Sequence, residues 1–325
     1  MCTGPSCASW RRPRARCTIP ASSPTWHNAM RRATSRARSS RSPTRSSTAS
    51  TSAIILSDHP IAARWRAIRE QAGPRERRAA LIPYLTAGHP TPETSLAALR
   101  LAEAAGADFV EVGVPFSDPL ADGPTIQRST QAALDGGMTV PRVLELIARA
   151  GLGIPVIVMT YVNPVMAYGL ERFVTDAHAA GAAGLLLTDF PAGADPALER
   201  VVQASPLALI RLLAPTTTPQ RLERAVRDAG GFLYLISRLG VTGARDQVPP
   251  DLPEHVARVR AASPLPLAVG FGISTPAQAR ATARLADGVV VGSALIEALG
   301  TGGLPAADQL LRRLAAAVHE AGSSP

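Results

Sequence analysis

Lysine is missing altogether: all 34 basic residues of the chain are arginine. Its absence excludes a Schiff-base aldolase, a lysine-anchored pyridoxal phosphate and a P-loop lysine. Cysteine is confined to positions 2, 7 and 17, so the body of the chain can form neither a disulfide nor a thiolate metal site. The six histidines are scattered without an H-x-x-x-H pair, and no metal site is expected. Aromatic residues amount to only 4%, so a core must be built from Ala, Val, Leu and Ile. No apolar run reaches the roughly 18 residues of a membrane-spanning helix. The expectation is a soluble, cytoplasmic protein with no membrane partner.

Acidic residues are absent from residues 1–55, which carry ten arginines. The remainder holds 24 basic and 25 acidic residues, a net of −1. The formal charge of +9 therefore belongs to the tail and makes no general case for nucleic-acid binding. Residues 1–53 are rich in Arg, Ser, Thr, Pro and Ala without hydrophobic period, and are expected to be disordered. A transit peptide, a nucleic-acid-binding arm and an early start codon all fit that composition. The third is favoured, because residues 54–325 read as one catalytic domain without the tail.

What the body has is alternation. With 46% hydrophobic residues it can fill one large core, and one domain of about 250 residues fits. Helix start signals at His59-Pro60 precede Ile61, Trp65 and Ile68, spaced to share one helical face. Short apolar runs then predict strands at 81–86, 109–113, 155–160, 184–187, 207–212, 232–236, 266–270 and 288–291. Helical patterns fall between and after them, at 92–105, 124–135, 169–180, 195–204, 218–229, 252–262, 276–284 and 305–321. Thr275-Pro276-Ala277-Gln278 reads as a capping box, and Thr218-Pro219 repeats its first half. Eight strands with parallel-type crossovers point to an α/β fold, the closed (β/α)8 TIM barrel, with an extra N-terminal helix. A doubly wound open sheet is the alternative, and lacks the G-x-G-x-x-G expected after its first strand.

Two carboxylates stand out. Glu111 interrupts the apolar run 109–114, where strand alternation places a side chain inside a core. Asp122 lies on the Pro- and Gly-rich loop that follows. One charge on a buried strand and one on a loop suit proton transfer to a sequestered substrate. Two carboxylates held by arginines at the rim of a sheet would read the same way. Near the end, Gly270-Phe271-Gly272-Ile273-Ser274 follows the seventh strand and Gly292-Ser293 the eighth. Glycines there let backbone N–H groups approach an anion, and a helix starting at Ser293 adds its dipole. Barrels often bind phosphate with these two loops.

With these parts in place the sequence resembles the tryptophan synthase alpha subunit family from Arg78 to Leu299. Its carriers are Leu81-Ile-Pro-Tyr-Leu-Thr-Ala-Gly88, the unbroken segment from Glu111 to Gln127, Met159-Thr-Tyr-Val-Asn-Pro164, Tyr234-Leu-Ile-Ser-Arg-Leu-Gly-Val-Thr-Gly243, Gly270 to Ser274 and Gly292-Ser293. The resemblance implies a lyase of tryptophan (aromatic amino-acid) biosynthesis that cleaves indole-3-glycerol phosphate to indole and glyceraldehyde 3-phosphate. It implies no cofactor in this chain. Pyridoxal phosphate is expected on a beta subunit, joined with this chain in an alpha2-beta2 heterotetramer. In a retro-aldol cleavage without an imine, the indole ring itself must accept the electrons. Proton transfers then fall to Glu111, and the ring N–H contact to Asp122. By the same resemblance Tyr84, Met159, Tyr161, Tyr234 and Phe271 line the indole pocket, although for Met159 a plain core role is the stronger reading. Gly243, Gly272, Gly292 and Ser293 hold phosphate, and Thr242 bonds Asp122 when a lid closes. Three positions depart from the family pattern: His89 stands for the usual Asp, Leu239 for a small polar residue, and Thr188 to Ala194 lacks an acidic pair. Another phosphate-binding barrel enzyme and a non-catalytic regulatory partner are the competing readings.

Overall fold

The structure is a computed structural model that describes residues 59–72, 78–237, 249–270 and 272–322. Helix α1 (Pro60–Ala72) leads into strand β1 (Ala80–Thr86), and α2 (Pro92–Ala104) into β2 (Val110–Gly113). Two helices, α3 (Pro124–Asp135) and α4 (Val140–Ala150), precede β3 (Val156–Thr160), and two more, α5 (Val162–Tyr168) and α6 (Leu170–Ala179), precede β4 (Ala182–Leu187). Regular alternation follows: α7 (Pro196–Ala204), β5 (Ala208–Leu213), α8 (Pro219–Arg227), β6 (Leu233–Ile236), α9 (Leu252–Ala262), β7 (Leu267–Gly270), α10 (Pro276–Ala283) and β8 (Gly288–Val291). The last helix, α11 (Ser293–His319), breaks at Gly303, whose φ of 64° is left-handed. All strands pair in parallel in chain order and β8 closes on β1, which makes the barrel. The expected tail 1–53 lies outside the described residues.

The expected strands all form, with ends displaced by two residues at most. The strands are buried along both faces, as parallel strands packed between a filled interior and a ring of helices must be. Both anticipated caps form: the Thr275–Gln278 box is reciprocal, and Thr218 accepts from the Arg221 N–H. Helices α4 and α5 are not anticipated by the sequence reading. In α4 the buried Val143, Leu144, Leu146, Ile147 and Ala150 do carry a helical period. A parallel crossover needs only one helix, so the alternation does not call for this second one. Helix α5 is seven residues long with one buried side chain, Val165, too short for periodicity to register.

Helix α1 decides which end of the barrel can work. Its Ile61, Trp65 and Ile68 are buried, each contributing about 1.5–3 kcal/mol of apolar burial. Trp65 lies 4.8 Å from the Phe109 ring and 5.9 Å from the Phe232 ring, and both phenylalanines immediately precede strands. Glycines at the strand starts make room for this plug. A Cβ at Gly184 would come within 3.0 Å of Ile61 Cδ1, and one at Gly288 within 3.0 Å of Trp65 Cη2. Beside the plug the buried Asp108 accepts from Arg64 Nη2 (2.7 Å), Arg78 Nη2 (2.9 Å) and the Leu81 N–H (3.0 Å), and pairs with His319 Nε2 (2.9 Å). The N-terminal mouth is thus stoppered and tied to the C-terminal helix. Chemistry is left to the opposite end.

Candidate active site

Glu111 sits on β2 with Tyr84 of β1 and Ile157 of β3 as its register partners. It is 0% exposed, and neither carboxyl oxygen has a hydrogen-bond partner among the described residues. Burial pushes its pKa from 4.5 up to about 8. At neutral pH it is therefore a protonated acid whose conjugate base is strong. The arginine-held reading fails for Glu111 on this ground.

Asp122 is presented by the loop after β2. That loop turns through Leu120 N–H to Asp118 C=O (2.9 Å) and Asp122 N–H to Pro119 C=O (3.0 Å). Tyr161, just past β3, clamps it from the side. The phenol accepts from the Ala121 N–H at 3.0 Å and donates to Asp122 Oδ2 at 2.9 Å. Gln127 Nε2 holds the Asp122 carbonyl at 2.9 Å, and Phe116 packs on the Tyr161 ring at 5.3 Å between centroids. Burial raises the Asp122 pKa more than the Tyr161 hydrogen bond lowers it.

Of the four tyrosines in the chain, Tyr84, Tyr161 and Tyr234 are buried around these carboxylates. Burial first, and then the charges of Glu111 and Asp122, raise the pKa of Tyr84 and Tyr234 far above the ordinary phenol. Both stay neutral donors. Two glycines create their space. A Cβ at Gly113 would lie 2.0 Å from the Tyr84 hydroxyl, and one at Gly270 would lie 2.3 Å from the Tyr234 hydroxyl. Gly270 was read from sequence as part of the anion cradle, so its clearance for a neighbouring phenol is a reason the sequence alone missed. Met159 is buried opposite Gly113, on the strand next to Glu111.

The loops after β7 and β8 bring the other glycines to the same end. Gly272 adopts φ +80° with open space where a Cβ would stand. Gln278 Oε1 gathers the Ser274 N–H (2.8 Å), the Ser274 hydroxyl (3.1 Å) and the Thr275 N–H (3.1 Å). Those donors are spent on shaping the loop, a correction to the idea that the whole stretch cradles an anion. Gly292 is the N-cap of α11 without a side-chain cap; its carbonyl accepts from the Leu295 and Ile296 N–H groups at 2.9 and 3.0 Å, which leaves the Ser293 and Ala294 amides without an acceptor inside the helix. A Cβ at Gly292 would meet Tyr84 Cβ at 3.4 Å. Tyr84 therefore bridges the wall between Glu111 and the start of α11. Thr242, Gly243 and Phe271 lie outside the described residues. Among the described residues no group of three His, Cys, Asp or Glu side chains could hold a metal ion, and no helix is long and apolar enough to cross a membrane.

A stoppered (β/α)8 barrel with a protonated acid at its centre defines the chain as a barrel enzyme working at the C-terminal ends of its strands. Comparison with known proteins narrows the class. The family model for the tryptophan synthase alpha chain matches residues 71–322. The tryptophan synthase alpha chain of Gluconacetobacter diazotrophicus is 48% identical over 242 residues, 74% of this chain and 86% of the relative. That of a Caulobacter species is 48% identical over 225 residues, covering 68% and 82%. A Mycobacterium tuberculosis tryptophan synthase structure superposes with a TM-score of 0.73 at 42% identity, covering 80% of this chain and 98% of that one. A Legionella pneumophila tryptophan synthase alpha chain does so at 34% identity with the same score, covering 82% and 99%. The chain belongs to the tryptophan synthase alpha chain family. It is a carbon–carbon lyase of tryptophan biosynthesis, cleaving indole-3-glycerol phosphate to indole and glyceraldehyde 3-phosphate.

Proposed function

We propose that Glu111 gives its proton to indole C3 and that the resulting carboxylate takes the proton of the adjacent glycerol hydroxyl. Protonation turns the ring into an indoleninium-like cation. The C3–C1′ bond then breaks, its electron pair returns to the ring, and the oxygen that lost its proton becomes the aldehyde of glyceraldehyde 3-phosphate. The proton count balances, and Glu111 ends as it began. Asp122 accepts the ring N–H and stabilises the cation, while Tyr161 holds it in place. Tyr84 and Tyr234 flank the ring, as Phe271 does by family resemblance. Gly243, Gly272, Gly292 and Ser293 take the phosphate, and Thr242 completes the closed site. The observation that carries this reading is the Glu111 carboxyl, wholly buried, without a hydrogen-bond partner among the described residues and held protonated up to about pH 8. A general acid works best when its pKa lies near the operating pH.

The test is indole release by the purified chain. Glu111→Gln should lower kcat by at least about 100-fold with phosphate-ester affinity retained. Asp122→Asn should reduce kcat more than it weakens binding. Near-normal turnover in Glu111→Gln removes the assignment.

The same reading makes a pyridoxal-phosphate-bearing beta subunit the partner, in an alpha2-beta2 assembly, with both chains cytoplasmic. Leu120, 92% exposed on the β2 loop, and Met166, 52% exposed on α5, support it. Each is an apolar side chain presented beside the active-site loops. The division proposed is a catalytic barrel over 54–325 with the arginine-rich 1–53 outside it.

A further inference from the structure

Behind Tyr84 runs a chain of buried hydroxyls that the mechanism above leaves unused. Thr86 Oγ1 lies 3.4 Å from the Tyr84 hydroxyl and 2.7 Å from Ser129 Oγ, and Ser129 Oγ lies 2.8 Å from the Ile126 carbonyl. Thr86 and Ser129 are each 1% exposed. We propose that Thr86 and Ser129 are positioning residues for the lyase reaction: with Tyr84 they form a hydroxyl relay in which Thr86 donates to the phenol oxygen and so leaves the phenol's own proton for Glu111 once that carboxyl has lost its proton. The proposal rests on Glu111 being the acid and base.

The argument is a count of protons. Three hydroxyls own three protons, and the chain has three links. Thr86 Oγ1 donates to the Tyr84 oxygen, so the phenol's own proton is not used within the chain and is left for the cavity. Ser129, 2.7 Å from Thr86 Oγ1, donates to it on turning from the Ile126 carbonyl, which keeps its helical acceptor role in the first turn of α3.

The near end faces Glu111. Tyr84 and Glu111 are register partners, and the phenol stands over Gly113, two residues further along the same face of β2. That spacing is about 7 Å, within the length of a glutamate side chain plus one hydrogen bond. A protonated Glu111 needs no donor. An ionised Glu111, created when C3 takes the proton, gains one in the Tyr84 hydroxyl. The charged groups that reach this phenol are Asp122 of the β2 loop and Glu111, with the neutral Tyr161 and Tyr234 beyond.

The experiment is steady-state indole release by the full chain across pH 5.5–9, with Tyr84→Phe, Thr86→Val, Ser129→Ala, Thr86→Ser and the double variant Tyr84→Phe/Thr86→Val. Tyr84→Phe and Thr86→Val should each lower kcat about 10-fold, the worth of one transition-state hydrogen bond, with KM within about twofold. The double variant should be no worse than the poorer single one. Thr86→Ser, which keeps the hydroxyl, should behave as the parent. The pH limb governed by Glu111 should move upward in Thr86→Val and Ser129→Ala, because the carboxylate has lost a donor. Multiplicative losses in the double variant, parental kcat in Thr86→Val and Ser129→Ala, or an unmoved pH limb would each overturn the relay. If Glu111→Gln is inactive while the relay variants are normal, only the relay falls. If Glu111→Gln turns over, the underlying assignment falls.

Discussion

Replacing Glu111 by glutamine should make the folded chain more stable as well as inactive, and the size of the gain follows from its burial. In the unfolded chain the carboxyl ionises near 4.5, whereas in the barrel it holds its proton to about 8. Between those values the unfolded state binds fewer protons than the folded one, so native stability falls as pH rises. The slope is about 1.4 kcal/mol per pH unit for one proton. Glutamine has no such slope. The stability difference between Glu111→Gln and the parent should therefore widen by about 3 kcal/mol from pH 5 to pH 7.5. Because both proteins bury a polar group at this site, the widening isolates ionisation from amide desolvation. At about 2–4 °C per kcal/mol for a domain of this size, the gap in melting temperature should grow by roughly 6–12 °C over that range. Thermal or urea denaturation of the two proteins at a series of pH values measures it. Parallel curves would mean that Glu111 is ionised and solvated in the folded state. The case for it as a protonated acid would then be lost.

Two further perturbations probe the frame that holds the site. Asp108→Asn removes the charge at the barrel stopper and should cost about 3 kcal/mol, the low end for breaking a buried ion pair, because Arg64 and Arg78 keep some solvent contact. Burial alone would raise the Asp108 pKa, but the His319 hydrogen bond, the Arg78 charge and the Leu81 N–H outweigh it and hold it below 3.8. That stabilisation is present above about pH 4 and lost as pH falls through the folded pKa. Acid-denaturation curves of parent and Asn variant should therefore converge below that point, and a constant gap would contradict the assignment. Gly113→Ala sets a methyl group 2.0 Å from the Tyr84 hydroxyl. It should destabilise by about 1–3 kcal/mol and displace the phenol, seen as a fall in both urea midpoint and kcat. Unchanged values for both would show that Tyr84 can sit elsewhere.

How much of this was legible in the sequence varies by feature. The eight strands were readable because parallel barrel strands are short, buried on both faces and rich in branched apolar residues, a signal independent of distant partners. The helix before β1 was readable from the spacing of Ile61, Trp65 and Ile68, but its place as the stopper of the barrel was not. Glu111 and Asp122 stood out because a carboxylate in an apolar run, or on a Pro- and Gly-rich loop, is locally anomalous. The closed barrel also brought Tyr84 and Tyr161 together from strands far apart in the chain. Tertiary packing alone decided that Gly113 and Gly270 serve neighbouring tyrosines and that Thr86 and Ser129 stand behind Tyr84. The first depends on strand register, and the second on packing of α3 against β1, which brings together residues 43 positions apart in the Thr86–Ser129 contact. The protonation state of Glu111 was settled the same way. A sequence names the carboxyl, but only the removal of water around it, by side chains from other strands, sets the pH at which it lets its proton go.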